Sequence, residues 1–226
     1  MLNWARFFRL PLLPTVWCHI YAASLIAGQP FLDHIWLVVA FTSVYLYGMG
    51  DNDRVDLATD LENNTSRPLA SGAISLSAAT IMITLVLLVG LAAVMMIPDR
   101  QQSLMVAVAL IAAWGYNRRF KKYAILGAIC LGVVRGAIYY SFELDWKWVA
   151  VIALYTAMIT LWSTTEEQHP SRKKITLILL LMLPIVDFTL IILAGAMTQN
   201  AVFLLAMPIV CRIFVLALSP KQSLPA

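Results

Sequence analysis

Eight long apolar runs follow one another along the chain, and only short polar segments separate most of them. They cover approximately residues 10–28, 33–50, 74–97, 103–116, 124–142, 147–163, 175–196 and 200–218. An apolar helix needs about 20 residues to cross a bilayer. Only 12% of the 226 residues are charged, against about 25% in soluble domains, which excludes a water-soluble globule. We expect an all-α, polytopic transmembrane helix bundle of about eight spans, formed as a single domain by residues 1–226.

The basic residues are concentrated on one side of the predicted bundle. With the N-terminus in the cytoplasm, twelve Lys and Arg residues fall in cytoplasmic segments and only two, Arg100 and Lys147, fall outside. This bias predicts that both termini and the polar segments 51–73 and 164–174 face the cytoplasm. Because the basic clusters flank apolar runs, they indicate membrane orientation, and we expect no nucleic-acid partner. The expected location is a bacterial-type inner membrane.

The polar segment after the second run carries acidic residues at helical spacing. Asp53, Asp56 and Asp60 are separated by three and four positions, which on an α-helix puts the three carboxylates on one face. Like charges on one stripe repel each other unless a cation lies over them. Hard oxygen ligands of this kind suit Mg²⁺ that also contacts phosphate. A solvated acidic loop without a ligand explains the spacing equally well.

The residues around this stripe resemble a known motif. The segment contains Asn52-Asp53-Arg54-Val55-Asp56, then Asp60, then Arg67-Pro68-Leu69 and Ser71-Gly72. This order resembles the first aspartate-rich motif of the UbiA-type intramembrane prenyltransferase superfamily, N-D-x-x-D-x-x-x-D followed by R-P-L and a Gly-containing turn. Residues 116–136, YNRRFKKYAILGAICLGVVRG, are similar to the Tyr-, Lys- and Gly-containing stretch between the family's fourth and fifth spans.

The resemblance implies Mg²⁺-dependent transfer of a prenyl group from a polyprenyl diphosphate to a small aromatic or alcohol acceptor within the membrane. It also implies a central cavity open to the cytoplasmic side and to lipid. The metal ligands that it assigns are Asn52, Asp53, Asp56 and Asp60. The catalytic residues that it assigns are Asp53, Asp56, Arg67, Lys121 and Lys122. Further substrate contacts would come from Asn52, Asp60, Tyr116, Asn117 and Arg118.

The chain departs from the family pattern after the sixth span. There the family has a second aspartate motif, roughly D-x-x-x-D, whereas this chain has TTEEQHP at 164–170. We expect Glu166 or Glu167 to reach a second Mg²⁺ from this loop. The alternative function is a non-catalytic carrier or transport-associated protein of the same fold that binds prenyl lipids. A CDP-alcohol phosphotransferase would need D-x-x-D-G-x-x-A-R, which the sequence lacks.

Arg135 and Asp187 lie well inside apolar runs, where a charge is costly and is a functional hypothesis by default. Arg135 lies a turn or more below the basic segment, and we predict that it contacts a phosphate or the acceptor. For Asp187 a functional role and mutual neutralisation with Arg135 are both open. His19 has no partner at ligand spacing and is interpreted as a packing or interface residue.

Single-cysteine labelling tests the predicted orientation. With the three native cysteines replaced, Thr65→Cys or His169→Cys should react with a membrane-impermeant thiol reagent only after the cells are opened, because both positions lie in predicted cytoplasmic segments. Lys147→Cys should react in intact cells and is the control. Labelling of position 65 or 169 in intact cells would contradict the orientation.

Overall fold

The computed structural model describes residues 2–63, 65–164 and 172–218, and every regular element within them is helical. The α-helices are α1 (Leu2–Phe7), α2 (Pro14–Ile26), α3 (Ile35–Val55), α4 (Leu57–Glu62), α5 (Leu76–Met96), α6 (Arg100–Arg118), α7 (Ala124–Tyr140), α8 (Trp146–Ser163), α9 (Arg172–Leu181), α10 (Leu183–Leu193) and α11 (Met207–Leu218). Short 3₁₀ turns cover Leu10–Leu12, Phe31–His34, Phe120–Lys122 and Gln199–Leu205. The all-α prediction is confirmed.

Each predicted apolar run coincides with a helical segment, but not every segment is long and apolar enough to cross a bilayer. Among the described residues, five segments meet both conditions by length and composition. They are Phe31–Val55, Leu76–Met96, Trp146–Ser163, Lys174–Leu193 and Gln199–Leu218. Leu10–Ile26 and Ala124–Tyr140 are shorter apolar helices. α6 belongs to neither group, since polar residues occupy both of its ends. The count of eight spans stays a prediction.

Local chemistry explains where several helices begin. Ser75 accepts a hydrogen bond from the N–H of Ala78 at the start of α5, and Asp99 accepts one from Gln101 at the start of α6. Such side chains satisfy backbone donors that have no partner within the helix. Pro184 lies in the first turn of α10, where its missing N–H costs no helical hydrogen bond, and so the helix restarts there after α9.

Small residues bring the helices around the centre of the bundle close together. α3 packs against α5 and α6, and α7 packs against α6 and α8. At Gly132 of α7, a Cβ atom would lie 2.8 Å from the carbonyl oxygen of Ala153 in α8. Close packing of this kind holds helices together in a membrane, where the lipid is as apolar as the side chains.

The structure revises the interpretation of 51–73 as a connecting loop. α3 continues through Val55, and the short helix α4 covers Leu57–Glu62. The acidic residues therefore lie at the end of α3 and in α4, and the two helices meet at Asp56. After α4 the chain turns back at Pro68, whose carbonyl oxygen accepts from the N–H of Ile74 over 3.0 Å. Gly72 has φ of 73° in this turn, a conformation that favours glycine. The turn places Arg67 beside the end of α3.

Candidate active site

One guanidinium group joins the three aspartates of the predicted stripe. Arg67 Nη1 lies 2.9 Å from Asp60 Oδ2, 3.4 Å from Asp53 Oδ1 and 3.7 Å from Asp56 Oδ2. Asp53 and Asp60 are buried, and Asp56 is half-buried. Since carboxylates at this spacing repel each other, the shared cation stabilises their close arrangement. The sequence-predicted group of Asp53, Asp56, Asp60 and Arg67 is therefore assembled in the fold.

Asp53 also receives a cation from the N-terminal segment. Arg9 Nη2 lies 3.2 Å from Asp53 Oδ1. Arg9 has φ of 49°, which is uncommon for a residue other than glycine, and its carbonyl oxygen accepts from the Tyr45 hydroxyl over 2.9 Å. Such a conformation costs about 1–3 kcal/mol and persists where surrounding contacts require it. In the sequence Arg9 is one of the basic residues that indicate membrane orientation, and the structure adds it to the site.

The turn after α6 supplies the third cation. Lys121 Nζ pairs with Asp56 Oδ1 and lies 3.5 Å from Asn52 Oδ1. The fold therefore brings Lys121 to the aspartate stripe. The neighbouring Lys122 is exposed and forms no ion pair with these carboxylates in the part of the chain that the structure describes. Only one of the two adjacent side chains faces α3.

A cavity of about 360 Å³ begins beside this group and extends into the bundle. Arg9, Asn52, Tyr116 and Asn117 contribute polar atoms to its wall. Along α3 the lining then becomes apolar, through Val44 and Phe41. The other walls include the apolar residues Val16, Val134, Ile138 and Leu183. A mostly apolar cavity that meets the carboxylates at one end suits an amphiphile whose polar end lies at the carboxylates.

Asn117 and Arg118, both predicted to bind substrate, are tied to a buried carboxylate that the prediction did not include. Arg118 Nη2 lies 3.1 Å from Asp51 Oδ1, and Asn117 Nδ2 lies 3.4 Å from Asp51 Oδ2. Asn117 also donates to the carbonyl oxygen of Gly48 over 3.0 Å. Asn117 still lines the cavity, but the Arg118 guanidinium is committed to Asp51. The contacts of Arg118 are structural rather than directed at the cavity.

Asp187 is paired, but not with Arg135. His19 Nδ1 lies 2.6 Å from Asp187 Oδ1, and the Tyr139 hydroxyl donates to the same oxygen over 2.7 Å. Arg135 Nη2 instead donates to Thr15 Oγ1 over 3.0 Å, and its buried Nη1 has no hydrogen-bond partner among the described residues. Among the described residues Asp187 and Arg135 therefore form no ion pair with each other, and His19 is a hydrogen-bond partner of Asp187 rather than a simple packing residue. Arg135 lines the cavity, as a substrate contact requires.

The donor set at the end of α3 fits Mg²⁺, but only together with oxygens from a ligand. Asn52, Asp53, Asp56 and Asp60 offer hard amide and carboxylate oxygens, which Mg²⁺ prefers. Within the described ranges, no three Asp, Glu, His or Cys side chains are close enough to hold a metal ion by themselves. Mg²⁺ commonly binds through one or two carboxylates plus substrate phosphates and water, and this arrangement allows that. The predicted ligands Glu166 and Glu167 lie outside the described residues.

Asp51 had a signal in the sequence that the prediction did not use. Asp51 immediately precedes Asn52 and lies three positions before Arg54, with which it pairs at 2.7 Å. Asp51 is a fourth acidic residue beside the stripe, so the sequence alone could have suggested that it pairs with the basic stretch at 118–122. Arg9 had no comparable signal, since its place depends on how the N-terminal segment folds against α3.

The fold and the site define a membrane-embedded helix bundle with acidic and basic side chains at one end of an apolar cavity. The model of the UbiA prenyltransferase family matches residues 12–223, and the chain belongs to this family. No curated protein matches the chain significantly.

Three solved structures resemble the chain over 96% of its length. A digeranylgeranylglyceryl phosphate synthase is 18% identical, with a TM-score of 0.60 over 85% of its own chain. A UbiA homologue from Archaeoglobus fulgidus bound to GPP and Mg²⁺ is 15% identical, with a TM-score of 0.63 over 86% of its chain. A UbiA homologue from Archaeoglobus fulgidus bound to DMAPP and Mg²⁺ is 15% identical, with a TM-score of 0.61 over 85% of its chain. At these identities the likeness establishes the shared fold.

Replacing Arg67 tests its role as the shared cation. Arg67→Gln leaves three carboxylates with two cations, so the free energy of unfolding should fall by about 1–2 kcal/mol, a value reduced because Arg67 is partly exposed. Thermal unfolding in detergent should show a lower midpoint, and millimolar Mg²⁺ should raise the midpoint of the variant more than that of the wild type.

Lys122→Gln is the matched control for this experiment. It removes one exposed cation of the same surface without touching the carboxylates, so its unfolding midpoint should match the wild type. Equal midpoints for Arg67→Gln and Lys122→Gln would show that Arg67 does not hold the stripe together.

Proposed function

We propose that this protein transfers a prenyl group from a polyprenyl diphosphate to an aromatic or alcohol acceptor within the membrane, in a Mg²⁺-dependent reaction. The observation that carries the proposal is the group of three aspartates around Arg67 at the polar end of an apolar cavity. Family membership supports prenyl transfer in general, and the Archaeoglobus fulgidus homologue binds prenyl diphosphates with Mg²⁺.

In this proposal the end of α3 receives the diphosphate. Asp53 and Asp56, with Asn52 and Asp60, would hold Mg²⁺, and the bound ion would neutralise the diphosphate oxygens and so favour ionisation of the allylic C–O bond. Arg9, Arg67 and Lys121 already lie beside these carboxylates and can turn from them to the diphosphate oxygens. The cations that balance the carboxylates in the free protein thereby stabilise the leaving group.

The cavity holds the prenyl chain and the acceptor. Its apolar walls exclude water, which would otherwise compete for the allylic carbon. The diphosphate departs with the bonding electron pair, and the acceptor forms a bond to the allylic carbon and loses a proton. Tyr116 and Asn117 lie near the polar end, whereas Arg135 lies deeper, where we assign it to the acceptor. Arg118 and Lys122 have no direct role in this proposal.

Three further expectations belong to the same proposal. Glu166 or Glu167 provides a second Mg²⁺ site. The whole of residues 1–226 forms one domain with both termini in the cytoplasm of a bacterial-type cell. The cavity opens toward the cytoplasmic side and toward lipid, which gives a lipid-borne substrate access to the site.

Asp53→Asn and Asp56→Asn test the metal–diphosphate site. Each variant keeps the size of the side chain but removes a charged metal ligand, so Mg²⁺-dependent binding of geranyl diphosphate should weaken at least about tenfold. Binding is measured by titration calorimetry in detergent, with and without Mg²⁺.

Asp33→Asn, in the exposed turn before α3, is the matched control and should bind as the wild type does. Unchanged affinity in both site variants would mean that the stripe is only a charged surface. A wild type that binds geranyl diphosphate but never releases diphosphate would favour the carrier alternative.

A further inference from the structure

Asp51 is the most enclosed carboxylate near the site, and its contacts differ from those of the neighbouring aspartates. Its side chain has 0% exposure. Asp51 Oδ1 accepts from Arg54 at 2.7 Å and from Arg118 at 3.1 Å, and Oδ2 faces Asn117 at 3.4 Å. Among the described residues it forms no ion pair with Arg9, Arg67 or Lys121. Asp51 therefore organises a separate set of donors beside the site.

These contacts connect the end of α6 to α3. Arg118 is the last residue of α6, and Asn117 donates to both Asp51 and the Gly48 carbonyl oxygen of α3. A buried carboxylate with three donors is well satisfied, and removal of its charge would leave two guanidinium groups without their acceptor. The Asp51 contacts thus fix where α6 ends relative to α3.

The two residues between Arg118 and Lys121 have little freedom once α6 is fixed. The Phe120 ring packs on Gly115, where a Cβ would come within 3.0 Å of the ring. On the other side, a Cβ at Gly127 of α7 would lie 3.3 Å from the Cα of Lys121. The turn is therefore held between α6 and α7, and its position follows the end of α6.

We propose that Asp51 is a positioning residue for Lys121. By holding Arg118 and Asn117, it sets the turn so that Lys121 meets Asp56 and Asn52, and it keeps the Arg118 and Arg54 guanidinium groups away from those oxygens. The importance of this for substrate binding rests on the proposed function. The placement of Lys121 itself does not depend on the proposed function, and it can be measured without any substrate.

The first experiment measures the reactivity of Lys121 in the full-length protein. In the wild type the Lys121 amine is paired and its side chain is 20% exposed, so an amine-reactive acylating reagent should modify it slowly. Asp51→Asn puts an amide N–H₂ opposite the Asn117 amide and removes the negative charge that pairs with Arg118. Lys121 modification, followed by mass spectrometry, should therefore become severalfold faster. Lys122, exposed in the same turn, is the internal control and should keep its rate.

Two variants separate positioning from general destabilisation. Arg54→Gln removes a cation from the same carboxylate but leaves the contacts to α6, so Lys121 should stay protected. Arg118→Gln removes the other partner of the Arg118–Asp51 ion pair and should expose Lys121 as Asp51→Asn does. It replaces Asp51→Asn as the test if that variant fails to fold. Unchanged Lys121 reactivity in folded Asp51→Asn or Arg118→Gln would overturn the proposal, as would equal acceleration at Lys121 and Lys122.

A double-variant cycle then tests the link to substrate. Geranyl diphosphate with Mg²⁺ should bind about tenfold more weakly to Asp51→Asn, about tenfold more weakly to Lys121→Met, and no more weakly to the double variant than to Lys121→Met. Independent, multiplying losses would overturn positioning through Lys121. If the wild type binds no prenyl diphosphate while Lys121 reactivity still depends on Asp51, the proposed function fails and the positioning role stands.

Discussion

The repulsion among three carboxylates at the end of α3 is the constraint on which the site depends. Asp53, Asp56 and Asp60 lie together only because cations approach from three separate parts of the chain. Arg9 comes from the segment before α2, Arg67 from the turn after α4 and Lys121 from the turn after α6. The site thus connects regions far apart in sequence, and it is assembled only when the bundle is complete.

Balanced charge also explains how these carboxylates and cations can lie together beside an apolar cavity and still be able to bind a charged substrate. Three carboxylates face three cations, so the free site carries little net charge and avoids the full cost of burying unpaired ions. A metal–diphosphate complex offers both signs of charge. Its metal ion would bind the carboxylates, and its phosphate oxygens would bind the cations. Each side chain would thus exchange one partner for another.

Deeper in the bundle, polar side chains connect α2 and α7 at two successive levels. Thr15 contacts Arg135, and one turn further along both helices His19 and Tyr139 meet at Asp187 of α10. Intramembrane polar groups usually pair across helices because lipid offers them no partner. At each level one buried nitrogen, Arg135 Nη1 and His19 Nε2, has no hydrogen-bond partner among the described residues. Of Arg135, His19 and Asp187, only Arg135 lines the cavity, which is why we assign Arg135 and not Asp187 to the acceptor.

The sequence predicted the helices and the aspartate stripe, since apolar run length and helical spacing are local properties. It also predicted that Arg67 and Lys121 approach the stripe, through resemblance to the family motif. It could not separate Lys121 from Lys122 or find Arg9, because the direction of a side chain in a turn is decided by packing against other helices. The ion pair between Arg118 and Asp51 likewise depends on how α6 lies against α3.

The most direct test of the account is diphosphate release by the wild-type protein in lipid bilayers. Radiolabelled prenyl diphosphates of several chain lengths are supplied with a panel of phenolic and alcohol acceptors, with Mg²⁺ or with a chelator. The account predicts release of diphosphate and appearance of the label in a prenylated acceptor, both only with Mg²⁺. Mg²⁺-dependent binding without release for every chain length and acceptor, or equal release in the chelator, would contradict it.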